Sequence, residues 1–161
     1  MDGYETVIGK KAPDFSLPDH EGNLIVLSEL VAVSPVLLVF YPGDFTPVCT
    51  KQLCNYRDSI ADFKALEIQV IGISSNDASS HTEFIKQYEI PFPLVSDADK
   101  KVTKLYGCQS LFMLGGASRA VMIINKKQIV LYRYVERTII TRRKSDELLG
   151  IVKDLKNHKL L

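Results

Sequence analysis

The 161-residue chain has no tryptophan, only three cysteines and three histidines, and no excess of charge of either sign. Its 20 Lys and Arg residues against 19 Asp and Glu leave a formal net charge of +1. That balance gives no electrostatic footprint for nucleic acid or for an anionic membrane surface. Long apolar runs are missing too. The longest, around Val36 to Phe40, falls far short of the roughly 20 residues that span a bilayer. The opening stretch MDGYETVIGKKAPDF lacks the apolar segment of a secretory signal. Repeats, linkers and low-complexity stretches are absent. An odd number of cysteines argues against a disulfide scaffold and for a reducing compartment. We therefore expect a cytoplasmic protein with no nucleic-acid or membrane partner. His20, His81 and His158 show no paired spacing with the cysteines, so no metal or other cofactor is expected. Gly115-Gly116 reads as a mobile turn without a phosphate-binding pattern.

What remains is ordinary globular material, 46% hydrophobic and 24% charged, with length for a single domain over residues 1–161. Val36–Phe40 reads as a strand buried on both faces. Tyr41-Pro42-Gly43-Asp44 stops it. A helix is predicted from Thr46-Pro47, with Thr46 as N-cap and proline at the first helical position. Cys49, Leu53, Tyr56, Ile60 and Phe63 share one face of it. Further expectations are a strand over Ile68–Ile73 and a helix capped by Ser79 or Ser80 through Tyr88. A short extended piece at Leu94-Val95 and a helix capped by Asp97 to about Leu105 follow. A hairpin of Arg119–Ile124 with Gln128–Tyr132, then a last helix capped by Ser145, complete the chain. Early alternation and a late hairpin imply an α/β fold, a central mixed sheet flanked by helices on both faces.

Cys49 falls in the first turn of its predicted helix. Unpaired N–H groups and the positive helix end favour an anion there, the condition under which a thiol becomes a reactive thiolate. By position alone, an inert core cysteine beside Leu53 is the other reading. Cys54 lies five residues on. In a straight helix the two are about 140° apart around the axis, with Cα atoms roughly 8.6 Å apart. A disulfide needs less than about 7 Å. Either the two are unrelated, or the helix start unwinds during a redox cycle.

Residues 42 to 54 read PGDFTPVCTKQLC. With Pro42, Thr46 and Cys49 straight after a buried strand, the segment resembles the active-site signature of the peroxiredoxins. A second cysteine five residues on is similar to the Q-type subgroup, the bacterioferritin comigratory proteins. The resemblance runs from Gly9-Lys10-Lys11-Ala12-Pro13-Asp14-Phe15 through Tyr56-Arg57-Asp58, Gly72-Ile73-Ser74, His81 with Phe84, and Phe92-Pro93-Leu94-Val95-Ser96-Asp97. Tyr106-Gly107 and Arg119 extend it. It implies a thioredoxin-like fold and a thiol peroxidase acting on hydrogen peroxide and organic hydroperoxides. Cys49 would be the attacking thiolate, passing through a sulfenic acid. Thr46 would hydrogen-bond the peroxide, Arg119 would hold the thiolate and the peroxide oxygens, and Pro42 would limit water access. Cys54 would close a redox disulfide with Cys49, opened again by thioredoxin or a similar dithiol reductant. A monomer or weak dimer is implied.

Gln52 stands where relatives often have Glu, Gly43 replaces a common Lys, and Phe45 and Val48 are bulkier and more apolar than the usual residues. These departures leave the catalytic set intact and touch pocket polarity and substrate size. Cys108 matches no motif and is expected to be a bystander. Arg57 and Asp58 read as a structural pair, with support of the active site a second role for Arg57. Arg142-Arg143-Lys144 reads as a solvated approach to the last helix. Two other functions compete. A thiol–disulfide oxidoreductase would carry two residues between its cysteines, where this chain has four. A redox sensor would oxidise at Cys49 but turn over poorly with thioredoxin.

Overall fold

The computed structural model describes residues 7–109, 118–136, 138 and 141–161. Gly115-Gly116 lie outside the described residues. Two three-residue strands, β1 (Ser16–Pro18) and β2 (Leu24–Val26), form an antiparallel pair and lead into α1 (Leu27–Val33). Then come β3 (Val36–Phe40), α2 (Pro47–Asp58), α3 (Ile60–Ala65), β4 (Gln69–Ser74) and α4 (Ala78–Tyr88). β5 (Leu94–Ser96), α5 (Lys101–Leu105), β6 (Ala120–Ile124), β7 (Val130–Val135) and α6 (Ser145–Asn157) follow. The main sheet runs β5-β4-β3-β6-β7. β3, β4 and β5 are parallel, whereas β6 and β7 pair antiparallel.

β3 lies at the centre and is buried throughout. Strand side chains alternate between faces. Val36, Leu38 and Phe40 join one apolar cluster with α1 and α5 residues Leu27, Val31 and Val102. Leu37, Val39 and Tyr41 join the other, with Leu53 and Tyr56 of α2, Phe63 of α3, Phe84 of α4 and Leu148 of α6. The mixed sheet thus has helices on both faces, as its residue pattern predicts. Gly72 permits a close approach inside β4: a Cβ there would stand 2.6 Å from a Leu94 methyl and 3.3 Å from the Tyr41 ring.

Several hydroxyls read as helix caps do other work. α2 starts after Thr46 as expected, but the Thr46 side chain accepts nothing from the helix; its Oγ1 donates to the Gly43 carbonyl at 3.0 Å. α4 is capped by Asp77, which accepts from the Ser80 N–H at 2.8 Å, so neither Ser79 nor Ser80 is the cap. A carboxylate is the stronger acceptor at the positive helix end. Ser145 is the first residue of α6 rather than its cap, and its N–H donates to Asn55 Oδ1 of α2 at 2.8 Å. The apolar face that continues from Cys49 to Phe63 is shared by two helices, interrupted at Ser59. The Ser59 hydroxyl donates to Ser145 Oγ at 2.7 Å. The second hairpin strand starts later than its sequence pattern predicts, at Val130, because Gln128 takes a left-handed turn conformation (φ 66°).

Lys100, not Asp97, is the N-cap residue of α5, but Asp97 ties the first turn from four residues before its start. Its fully buried carboxylate accepts from the Val102 N–H (3.2 Å), the Thr103 N–H (2.7 Å) and the Thr103 hydroxyl (2.7 Å). Replacing it leaves buried donors unpaired. We expect Asp97→Ala to lower unfolding free energy by about 2 kcal/mol, read from the urea midpoint at unchanged slope.

Candidate active site

The parallel strands β3 and β4 end beside each other, and the loop after β3 carries the chain into α2. Pro47 is the first residue of that helix. The first helical bond beyond the cap runs from the Thr50 N–H to the Thr46 carbonyl, at 2.9 Å. Cys49 stands just ahead of Thr50, in the turn whose N–H groups lack intrahelical acceptors. Its side chain is fully buried on the Leu53 and Tyr56 face. Arg119, directly before β6, is 4% exposed, and its Nη1 lies 2.8 Å from Cys49 Sγ. A permanent cation with planar donors thus meets a sulfur at the positive end of a helix. The guanidinium and the first-turn N–H groups converge on one buried sulfur.

Arg119 is held from a second side: its Nε donates to the Thr141 carbonyl at 3.1 Å. The same stretch of chain is fastened to α2. Tyr56 Oη donates to the Arg143 carbonyl (2.6 Å) and accepts from Gln52 Nε2 (2.9 Å). Burial pushes the Tyr56 hydroxyl far above its ordinary range, so it stays a donor. The approach to α6 is thus only partly solvated: Lys144 is exposed as expected, while Arg142 and Arg143 are half-buried. Arg143 lies 3.6 Å over the Tyr134 ring and pairs with Glu147 at 2.8 Å. Tyr134 recruits it by stacking, which a guanidinium does well.

Thr46 and Pro42 sit on the loop between β3 and α2, Thr46 exposed and Pro42 half-buried. Cys54, on the same unbroken helix as Cys49, is half-buried, and both thiols are free. Burial pushes the Cys54 thiol up; Arg57 opposes this and Asp58 adds to it. Arg57 pairs with Asp58 (2.9 Å) and donates to the Tyr88 carbonyl (2.7 Å), so it ties α2 to the end of α4.

Cys108 is fully buried in the other apolar cluster, with the sheet between it and Cys49. Burial pushes its thiol from 9.0 up to about 12, only partly offset by Arg133. A group that holds its proton more tightly when folded contributes fully below its unfolded pKa and loses that contribution as pH rises toward the folded value. Stability should therefore fall from pH 9 upward, by about 2 kcal/mol over the first 1.5 pH units from this thiol. Urea midpoints at pH 8 and pH 10.5 should show a smaller drop for Cys108→Ala than for the unaltered chain.

A cluster that local spacing does not signal lies under the loop. Asp44 is buried against Tyr41, Ser80 and His81, residues 3, 36 and 37 positions away. Burial alone would push its carboxyl up; hydrogen bonds from His81, Tyr41 and Ser80 more than offset this and hold it below its usual range. Burial and the Asp44 charge push the Tyr41 hydroxyl well up. Phe45, next in the chain, is 45% exposed and adopts φ 64°. Its ring meets Phe84 edge-on at 5.3 Å. Among the described residues, no three His, Cys, Asp or Glu side chains gather as metal ligands.

Cysteine and arginine at one helix start, on a mixed sheet with this strand order, define a class. The AhpC/TSA family model matches residues 8–133, and the chain belongs to that family. Within it the resemblance is to peroxiredoxin Q. The chloroplastic peroxiredoxin Q of Oryza sativa subsp. japonica is 43% identical over 126 residues, 78% of this chain and 58% of the relative. That of Populus jackii is 37% identical over 147 residues, 91% of this chain and 68% of the relative. The chain thus spans little more than half the length of the rice protein. Among solved structures, peroxidoxin BcpB from Mycobacterium tuberculosis superposes with a TM-score of 0.85 at 28% identity, covering 94% of this chain and 99% of that one. The reduced 2-Cys peroxiredoxin of Plasmodium vivax gives 0.87 at 25% identity, covering 96% and 84%. The fold is the thioredoxin-like fold of those peroxiredoxins.

Proposed function

We propose that this chain is a thiol peroxidase that reduces hydrogen peroxide and organic hydroperoxides at Cys49. The observation that carries the reading is the 2.8 Å contact of Arg119 Nη1 with a buried cysteine sulfur at the start of α2. The thiolate attacks one peroxide oxygen, an S–O bond forms and the O–O bond breaks. The departing oxygen takes a proton and leaves as water or an alcohol, with Cys49 as a sulfenic acid. Charge moves from sulfur to oxygen during attack, and Arg119 with the first-turn N–H groups is placed to stabilise both. The Thr46 hydroxyl commits its proton to Gly43, so toward a peroxide O–H its oxygen acts as acceptor. Pro42 shields the loop side of the site.

Cys54 then attacks the sulfenic sulfur, an S–S bond forms and water leaves. The intact helix holds the two residues too far apart for that bond, so the first turns of α2 unwind before it closes. A dithiol reductant of the thioredoxin type reopens the disulfide through a mixed disulfide, becoming oxidised itself. Cys108, across the sheet, takes no part. The cycle suits a reducing compartment, and we assign the chain to the cytoplasm as a monomer or weak dimer without nucleic-acid or membrane partner.

Peptide mass mapping after one equivalent of hydrogen peroxide, with free thiols alkylated, tests the cycle. A Cys49–Cys54 link with Cys108 alkylated is the expected product, and Cys54→Ser should lack it and stop turning over with thioredoxin. A Cys49–Cys108 link, or full turnover of Cys54→Ser, removes Cys54 from the mechanism.

A further inference from the structure

The active-site loop carries a buried acid to which the peroxide chemistry gives no task. Asp44 lies between Pro42 and Thr46, and its side chain and that of His81 on α4 are both 0% exposed. Three donors converge on the carboxylate: Tyr41 Oη on Oδ1 at 2.7 Å, Ser80 Oγ on Oδ2 at 2.7 Å, and His81 Nδ1 on Oδ2 at 2.8 Å. The Asp44 N–H donates to Asn76 Oδ1 at 2.9 Å, and Asn76 is held by the Ser74 hydroxyl at 3.0 Å. On its other side, His81 Nε2 faces the Val95 carbonyl of β5 at 3.2 Å. A carboxylate already taking two hydroxyl protons and a main-chain carbonyl are both acceptors. Both imidazole nitrogens therefore need protons, and only the imidazolium has two.

We propose that Asp44 and His81 form a charged latch, carboxylate on imidazolium, that clamps the 41–46 loop to α4 and β5 and so positions Thr46 and the start of α2 for attack on peroxide. Both act as positioning residues, through the loop. The loop needs such a clamp. Phe45 is a bulky residue in the left-handed region (φ 64°) immediately before Thr46, and such a conformation persists only where the surroundings over-determine it. A buried ion pair persists only with its remaining lone pairs and protons satisfied, and Tyr41, Ser80 and Val95 satisfy them. The inference rests on the peroxidase reading of Cys49. Under that reading the latch favours the folded site, the form that attacks peroxide, over the unwound form that closes the disulfide.

Rapid-mixing kinetics separates these two steps. Asp44→Asn keeps the shape and removes the charge. Its oxidation by hydrogen peroxide should slow by roughly ten- to a hundredfold, while disulfide closure stays as fast as in the unaltered chain or becomes faster. Ser80→Ala removes one donor and should slow oxidation by about two- to tenfold; Ser80→Thr, with the hydroxyl restored, should recover the rate. The Ser80 pair decides the question if Asp44→Asn does not fold. Independently of any activity, nitrogen NMR at pH 7 should find both His81 ring nitrogens protonated. A neutral His81 ring, unchanged oxidation in these variants, or equal slowing of both steps overturns the latch. If the unaltered chain leaves peroxide unreduced, the peroxidase reading fails, and the His81 signature still judges the charged pair.

Discussion

Cys49→Ser should lose peroxide reduction by at least roughly a thousandfold, because the reaction needs an ionised nucleophile that a serine hydroxyl cannot supply near neutral pH. The substitution is nearly isosteric, so the fold should survive it. Cys49 packs with Leu53 and Tyr56 in a core cluster, and replacing sulfur by oxygen changes that packing little. Unfolding midpoint and activity should therefore separate, the first nearly unchanged and the second abolished. Such a split distinguishes a chemical cysteine from the inert core cysteine that its burial would otherwise suggest. Loss of stability with retained activity would reverse the assignment.

Arg119→Met should reduce the rate of Cys49 oxidation by about a hundredfold, the scale on which a single preorganised donor to developing charge acts. Arg119→Lys should recover only part of it. Arg119 reaches in two directions at once, Nη1 to Cys49 Sγ at 2.8 Å and Nε to the Thr141 carbonyl at 3.1 Å. A lysine ammonium is a point charge without that fixed fork, so it keeps the cation and loses the aim. Second-order rate constants for hydrogen peroxide, measured under single-turnover conditions, read this directly. A lysine variant as fast as the arginine protein would mean that charge alone matters and that the Thr141 anchor is incidental.

Those two residues also mark how much of the site could be read from residue order. Cys49 was legible locally: a continuous apolar strand, a proline stop and a Thr-Pro helix start place it in a first helical turn. Arg119 was not. It stands 70 residues away, with no periodicity or spacing of its own, and only the family resemblance pointed to it. The structure joins the two because β6 pairs beside β3, Phe40 opposite Ala120, which brings the residue before β6 to the end of β3. Asp44 and His81 show the same limit. Both contribute through tertiary contact, and a lone histidine on a helix gives no sign of which acid it meets.

Legibility of the fold divides along similar physical lines. β3 was clear to the residue because a strand buried on both faces is an uninterrupted apolar run. The β1–β2 hairpin has only three residues in each strand, half exposed, too short for alternation to register. Thr46 is the N-cap residue of α2 as expected, though its hydroxyl bonds elsewhere, whereas Ser80 and Ser145 misled as caps, because serine and threonine hydroxyls can bond several partners. The choice of partner depends on neighbours the chain order does not reveal: the Gly43 carbonyl for Thr46, Asp44 for Ser80, and the Ser59 hydroxyl, which donates to Ser145. Asp97 misled least: a buried carboxylate must be satisfied, and the next helix start was the nearest source of donors.

The central claim is that peroxide oxidises the sulfur held by Arg119 at the start of α2. Trapping of the sulfenic acid with dimedone in Cys54→Ser, during the first turnover and with the modified residue located by mass spectrometry, tests it most directly. The account predicts one adduct, on Cys49, with Cys108 unmodified. An adduct on Cys108, or peroxide consumed with Cys49 still a free thiol, would contradict it.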